Sequence, residues 1–238
     1  MTSARQIYLG SRRGPALPYD AEVEYIESTG TQWIDTGIAA REGLIVECTG
    51  NILQYAATVY LFGCVGGSRT QQFGVYTNAQ DSKYVYIAGA VSGLYTTSVL
   101  IGKDRHIFVI DTTAGAKTFS VDGSIEKTWD TSLGVTLSNI FLFARSDSSY
   151  TSASRMYSFS IKDAATGQML LDLVPVRTTN ALGECEGAMY DRVSGEIFRN
   201  QGTGAFGFGT DIAGGGYKWL GCSPLRFSRF SRLWKEAA

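Results

Sequence analysis

A chain of 238 residues is long enough for one large β domain, and less readily for two small ones. Twenty-eight glycines against four prolines, with 12% aromatic residues, suit many short strands joined by tight turns. No stretch approaches the roughly 20 uninterrupted apolar residues of a membrane span, and the net charge of −1 is split between an acidic body and two basic ends.

Residues 1–20 carry Arg5, Arg12 and Arg13 against Asp20, while residues 217–238 carry Lys218, Arg226, Arg229, Arg232 and Lys235 against Glu236. The stretch between them therefore holds −7. Such a split suits ends that dock onto something and a body that faces solvent, although solvated tails would show it too. Neither a nucleic acid nor a membrane is expected as a partner. The first fourteen residues have no apolar core of signal-peptide length, so Sec export is not indicated.

Residues 1–20 read as a leader or anchor: Gln6-Ile7-Tyr8-Leu9 has the makings of a strand added to a neighbour's sheet, and Arg12-Arg13-Gly14-Pro15 breaks away from it. A domain over 21–213 follows. Glu22 to Ile26 alternates and stops at Ser28-Thr29-Gly30; Gln32 to Gly37 and Gly43 to Cys48 are the next strands. The pattern repeats over Thr58 to Phe62, Gln72 to Tyr76, Lys83 to Ile87 and Tyr95 to Leu100. His106 to Ile110 and Thr118 to Val121 form a hairpin, one strand near the middle of a sheet and the other closer to its edge, ended by the Asp122-Gly123 turn pair. Ile140 to Arg145 reads as a buried strand, followed by a polar loop from Ser146 to Ser154. Arg155 to Lys162 alternates, with Met156, Ser158 and Ser160 opposing Tyr157, Phe159 and Ile161. Gln168 to Val176, a hairpin around Val193-Ser194-Gly195, and Thr203 to Phe208 complete the domain. Regular short strands with scarcely any helical period indicate an antiparallel sandwich or barrel.

The tail over 214–238 differs. Phe227, Phe230 and Trp234 share one side of a short helix, with Arg229 and Arg232 on the other. Tyr8, Arg12, Arg13, Phe227, Arg229, Phe230, Arg232 and Trp234 are thus the candidate docking residues. The four cysteines (Cys48, Cys64, Cys185, Cys222) are widely spaced and the chain has one histidine, so a zinc site is not expected. Buried free thiols are the expectation, disulfides the alternative.

Arg105-His106-Ile107-Phe108-Val109-Ile110-Asp111 followed by Phe119-Ser120-Val121-Asp122-Gly123, then Phe141 to Arg145 and Met156 to Ile161, resembles the concanavalin A-like, laminin-G-like jelly roll. Two further stretches are similar to a subgroup in phage and prophage structural proteins of gut bacteria. One is the opening, Glu24 to Gly37. The other is the closing set: Asp172 to Arg177, Met189 to Phe198 and Gly202 to Phe206. The resemblance covers roughly residues 21–210. It implies an all-β antiparallel jelly-roll sandwich in a virion structural protein, assembled in the bacterial cytoplasm and attached through its termini to other virion proteins or to copies of itself. A host-surface glycan is the implied ligand. A glycan-binding module of the bacterial surface is the alternative.

Glycosidases of this fold resemble one another in a Glu-x-Asp-x-x-Glu strand that places two carboxylates on one face. Glu22, Glu24 and Glu27 do not have that spacing, and as alternating strand residues Glu22 and Glu24 would share a face with Glu27 on the other. His106, in a run that reads as buried on both sides, is expected to pack in the sheet rather than to catalyse. No enzyme activity and no cofactor are expected. Calcium, which some laminin-G-like domains hold at a loop rim, has Asp147 and Asp81 as candidate ligands. Sugar binding needs exposed aromatic faces and a few polar groups. Tyr55, Tyr76, Tyr95, Trp129 and Tyr150 are near loops, with Arg145 and Asp147 close in sequence; Tyr76, Trp129, Arg145, Asp147 and Tyr150 are the candidate ligand-binding set.

Overall fold

The computed structural model describes residues 17–54, 57–66, 71–77, 83–90 (the backbone alone for 86–90), 95–102, 104–115, 117–130, 133 and 137–212. The leader and tail docking residues, together with Tyr55, Asp81 and Cys222, lie outside them. In chain order the strands are β1 (Ala21–Glu22), β2 (Ile26–Thr29), β3 (Ile34–Ala39), β4 (Leu44–Ile52), β5 (Val59–Val65) and β6 (Gln71–Thr77). Then come β7 (Lys83–Ala90), β8 (Tyr95–Leu100), β9 (His106–Asp111), β10 (Lys117–Val121), β11 (Ser124–Trp129) and β12 (Asn139–Leu142). The last are β13 (Ala153–Asp163), β14 (Met169–Thr179), β15 (Cys185–Asp191), β16 (Ile197–Phe198) and β17 (Gly207–Phe208). Among the described residues there is no helix.

Two antiparallel sheets face each other. The larger runs β11-β10-β9-β4-β13-β14-β15-β16, with β1 paired to β14, β2 to β13 and β17 to β2; the smaller runs β3-β12-β5-β6-β7-β8. Inward residues alternate along the strands, as one buried face requires: Leu44, Val46 and Cys48 on β4, Phe108 and Ile110 on β9, Phe119 and Val121 on β10, all at most 2% exposed. They meet Leu61, Phe62, Cys64, Phe73 and Val75 from the smaller sheet in one core. Aromatic pairs stitch the layers, Phe62 on Phe159 at 5.3 Å and Tyr84 on Phe108 at 4.8 Å.

The opening and closing stretches that carry the resemblance are bonded to each other. Gln32, 3% exposed, accepts from Ser28 Oγ and the Thr29 amide and donates to the Ala205 carbonyl. Gln201 and Thr203 amides donate to the Trp33 and Thr31 carbonyls. Gly202 has no room for a Cβ, which would lie 2.0 Å from Thr31 O. Those motifs serve as a clasp across the fold.

Several local expectations are corrected. Glu22 to Ile26 is not one strand: the Val23 amide turns to Pro175 O and the Glu24 amide to Thr210 O, so β1 and β2 join different neighbours. On β13 a bulge between Met156 and Ser158 returns Met156 to the side of Phe159 and Ile161, all three fully buried. β12 stops at Leu142 rather than Arg145 because Phe143 takes a left-handed φ of 63°. The last strand is two residues, not six. The edge strand β11, following the Asp122-Gly123 turn, is additional. The run that holds His106 is not buried on both sides, since Ile107 is 43% exposed on the outer face. Cys48 and Cys64 are buried free thiols, and burial pushes the Cys64 thiol up to about 12. Cys185 departs from that expectation: it is disulfide-bonded.

Candidate functional site

The outer face of the smaller sheet carries a second, separate apolar group, Tyr60, Tyr76 and Val85. The three are direct cross-strand partners on β5, β6 and β7. A bulge between Tyr60 and Phe62 lets Tyr60 point away from the core while Leu61 and Phe62 remain in it. Beside this row the paired glycines Gly63 and Gly74 leave the sheet bare. A Cβ on Gly63 would lie 2.6 Å from the Tyr60 ring, so that ring lies over the glycine floor, and its hydroxyl donates to Gln72 Oε1. Tyr76 stacks on Tyr60 at 4.8 Å and 16°. Burial pushes both phenols up, Tyr76 to about 12.

Residues 143–152 form a tight hairpin beside this floor. The Ser152 amide donates to Phe143 O, Arg145 N to Ser149 O, Ser148 N to Arg145 O, and Tyr60 N to Tyr150 O. Three of the four described non-glycine residues with left-handed φ are here: Phe143, Ser148 and Tyr150, the last at 54°. For bulky residues this conformation persists only where surrounding bonds over-determine it, and such residues gather at binding sites. Asp147 fixes the side chain of Arg145 through two bonds, Nε to Oδ1 at 3.1 Å and Nη2 to Oδ2 at 2.5 Å. It also accepts from the Ser149 amide and hydroxyl. The Arg145 bonds, with those from Ser149, hold the Asp147 carboxyl well below the usual carboxylate range despite some burial, and Asp147 in turn raises Arg145.

The guanidinium carbon of Arg145 sits 4.3 Å from the Tyr150 ring centre and 6.0 Å from that of Tyr60. Arg145 and Tyr76 are each 7% exposed, whereas Tyr150 is 45% exposed. The assembly is therefore a supported platform: one open phenol ring, a guanidinium packed against it, and a covered tyrosine pair behind.

Four of the five residues expected from sequence, Tyr76, Arg145, Asp147 and Tyr150, are brought together here. Trp129 is not: it ends β11, half-buried against the main core. Tyr95 also packs on that core, with Lys127 over its ring at 5.6 Å. Tyr60 was not expected, because mid-strand Tyr-Leu-Phe reads as interior, and only the bulge sends it outward.

His106, Glu22 and Glu27 have structural partners. His106 Nδ1 lies 2.7 Å from Asp122 Oδ2, and Asp122 Oδ1 accepts from the Ile107 amide. Partial burial opposes ionisation of Asp122, but these bonds outweigh it and lower its pKa. Asp122, at φ 51°, and Gly123 thus form a turn braced by the histidine. Glu22 meets Tyr19 and Arg192, and Glu27 meets Arg155. Among the described residues no three His, Cys, Asp or Glu side chains gather to hold a metal ion.

No family model and no curated protein matches the sequence. Solved structures do match. A protein of Bacteroides ovatus described as a candidate carbohydrate-binding protein superposes with a TM-score of 0.55 at 10% identity, over 81% of this chain and 62% of that one. Domains LG4-5 of the mouse laminin alpha-1 chain give 0.43 at 9% identity, over 84% and 83% of the two chains. A Trypanosoma rangeli sialidase gives 0.41 at 14% identity, over 67% and 33%. The chain spans less than two thirds of the length of the Bacteroides protein, and the likeness is one of fold: this is an antiparallel jelly-roll sandwich.

Proposed function

We propose that the domain is a non-enzymatic glycan-binding jelly roll, with the Tyr150 hairpin as its sugar platform. The observation that carries this reading is the half-exposed Tyr150 ring, held in a left-handed backbone and backed by Arg145. A pyranose packs its C–H face on such a ring, and neighbouring polar groups fix its orientation. A rigid aromatic needs little ordering on binding, which favours affinity. The carbohydrate assignment of the Bacteroides protein that shares the fold agrees with this reading. A glycan array tests it: saturable binding to a subset of sugars, lost in Tyr150→Ala with the fold retained, is expected. Binding unaffected by Tyr150→Ala would move the site elsewhere, and hydrolysis of a bound glycan would replace the reading with a glycosidase.

The setting we propose is a phage or prophage virion, with the jelly roll displayed outward and the termini docked on other virion proteins or on further copies. Support comes from the opening and closing stretches and from the basic ends on an acidic body. Removing residues 1–20 or 217–238 is then expected to prevent incorporation into the particle while leaving the domain folded. Unchanged incorporation of both truncated forms would count against attachment through the ends, and absence of the intact chain from particles would favour a bacterial surface module instead.

A further inference from the structure

Charge and burial at the platform are arranged asymmetrically. Arg145 is the cation nearest the open ring, yet its side chain is only 8% exposed, while its carboxylate partner Asp147 is 41% exposed. The Arg145 donors Nε and Nη2 are already committed to Asp147, and Nη2 also reaches Ser149 Oγ at 3.2 Å. A ligand that settles on Tyr150 therefore meets a guanidinium whose charge is compensated and whose Nε–Nη2 edge is occupied. The full charge presented to water beside the ring is the carboxylate's. Tyr60 and Tyr76 behind it are neutral phenols, and among the described residues no second cation sits over the ring of Tyr60, Tyr76 or Tyr150.

From this geometry we infer that the platform selects neutral glycans and rejects carboxylated ones, with Asp147 as the residue that sets the selection. The inference rests on the glycan-binding reading and narrows its ligand class. An anionic sugar, whether sialylated or a uronate, would have to displace Asp147 from Arg145 to form its own ion pair, or else lie against Asp147 with like charges opposed. A neutral sugar keeps the Arg145–Asp147 pair intact, and its hydroxyls can donate to the exposed carboxylate oxygens.

The test uses the full chain on an array that carries each neutral backbone beside its sialylated or uronate counterpart, followed by titration of the best-bound pair. The neutral member is expected to bind about tenfold or more tightly than its carboxylated counterpart, the size of one modestly screened like-charge contact. Asp147→Asn keeps the shape of the side chain and uncovers the Arg145 charge, so it is expected to strengthen binding of the carboxylated member and shrink or invert the ratio. Equal or tighter wild-type binding of the carboxylated members would overturn the selection and leave glycan binding standing. Binding of no member at all would overturn both. If Asp147→Asn does not fold, the wild-type ratio alone decides.

Discussion

Replacing Tyr150 in two ways separates what its ring does from what its backbone does. A little more than half of the residue is covered, and that burial contributes about 1.5 kcal/mol. The guanidinium at 4.3 Å adds about 0.5–1 kcal/mol at a partly exposed ring. Tyr150→Ala removes both while keeping the left-handed φ of 54°, so it is expected to lower unfolding free energy by roughly 2 kcal/mol. Tyr150→Gly loses the same contacts but escapes a left-handed penalty of about 1–2 kcal/mol. Against that stands about 0.5–1 kcal/mol of extra unfolded-chain entropy. The glycine variant should therefore lose only about 1–1.5 kcal/mol. Urea unfolding with an unchanged m-value measures the order: wild type, then glycine, then alanine. Both variants should lose sugar binding in calorimetric titration. Alanine more stable than glycine by about 0.5–1 kcal/mol, the unfolded-chain entropy alone, would show that no strain resides at this position, and the argument for a pre-set platform would fail.

Gly74→Ala is expected to cost more than about 3 kcal/mol or to prevent folding. Its φ is 143°, and a Cβ would lie 2.3 Å from Phe62 O and 2.6 Å from Gly63 Cα, backbone atoms that cannot yield. Gly102→Ala, with nothing within 4 Å, is the control and should leave the urea midpoint within error. At alkaline pH, burial raises Tyr76 and Tyr84 from 10 to about 12, and Tyr60 in the same direction. The folded state holds these protons more tightly than the unfolded chain. Their contribution is therefore complete below about pH 10 and is lost as pH rises through 12. Phenolate absorbance followed together with the urea midpoint checks this, and normal titration of all thirteen tyrosines with the fold intact would refute it.

Most strands were legible because one buried face imposes alternation, and alternation survives in a single sequence. The hairpin of His106 to Val121 is the clearest case: Phe108, Ile110, Phe119 and Val121 point inward and their neighbours do not. Errors fell where the period slips by one residue. Met156 looked opposed to Phe159 because no residue type marks a bulge, yet the bulge puts both in the core. β11, Ser-Ile-Glu-Lys-Thr-Trp, is mostly exposed at the sheet edge and has no apolar face to betray it.

The platform was half legible for a related reason. Asp147 and Tyr150 stand in a polar stretch long enough to need a loop, with Arg145 just ahead of it, and loops carry recognition groups. Phe141-Leu142-Phe143-Ala144-Arg145, however, reads as a single strand running straight through the hairpin's first residues. What ends the strand is one backbone angle at Phe143, and its unfavourable conformation is held by partners remote in sequence, Leu61 O below and the Ser152 amide across. The same remoteness hid Tyr60, whose outward turn depends on a bulge and on two glycines, Gly63 and Gly74, brought side by side only by strand pairing. Both elements have one cause. A flat sheet would bury Tyr60 and leave the 143–152 segment nothing to fold against. The slip in register at Tyr60 supplies the aromatic floor, and that floor is what gives Arg145 a second ring at 6.0 Å and Tyr150 a fixed place to stand.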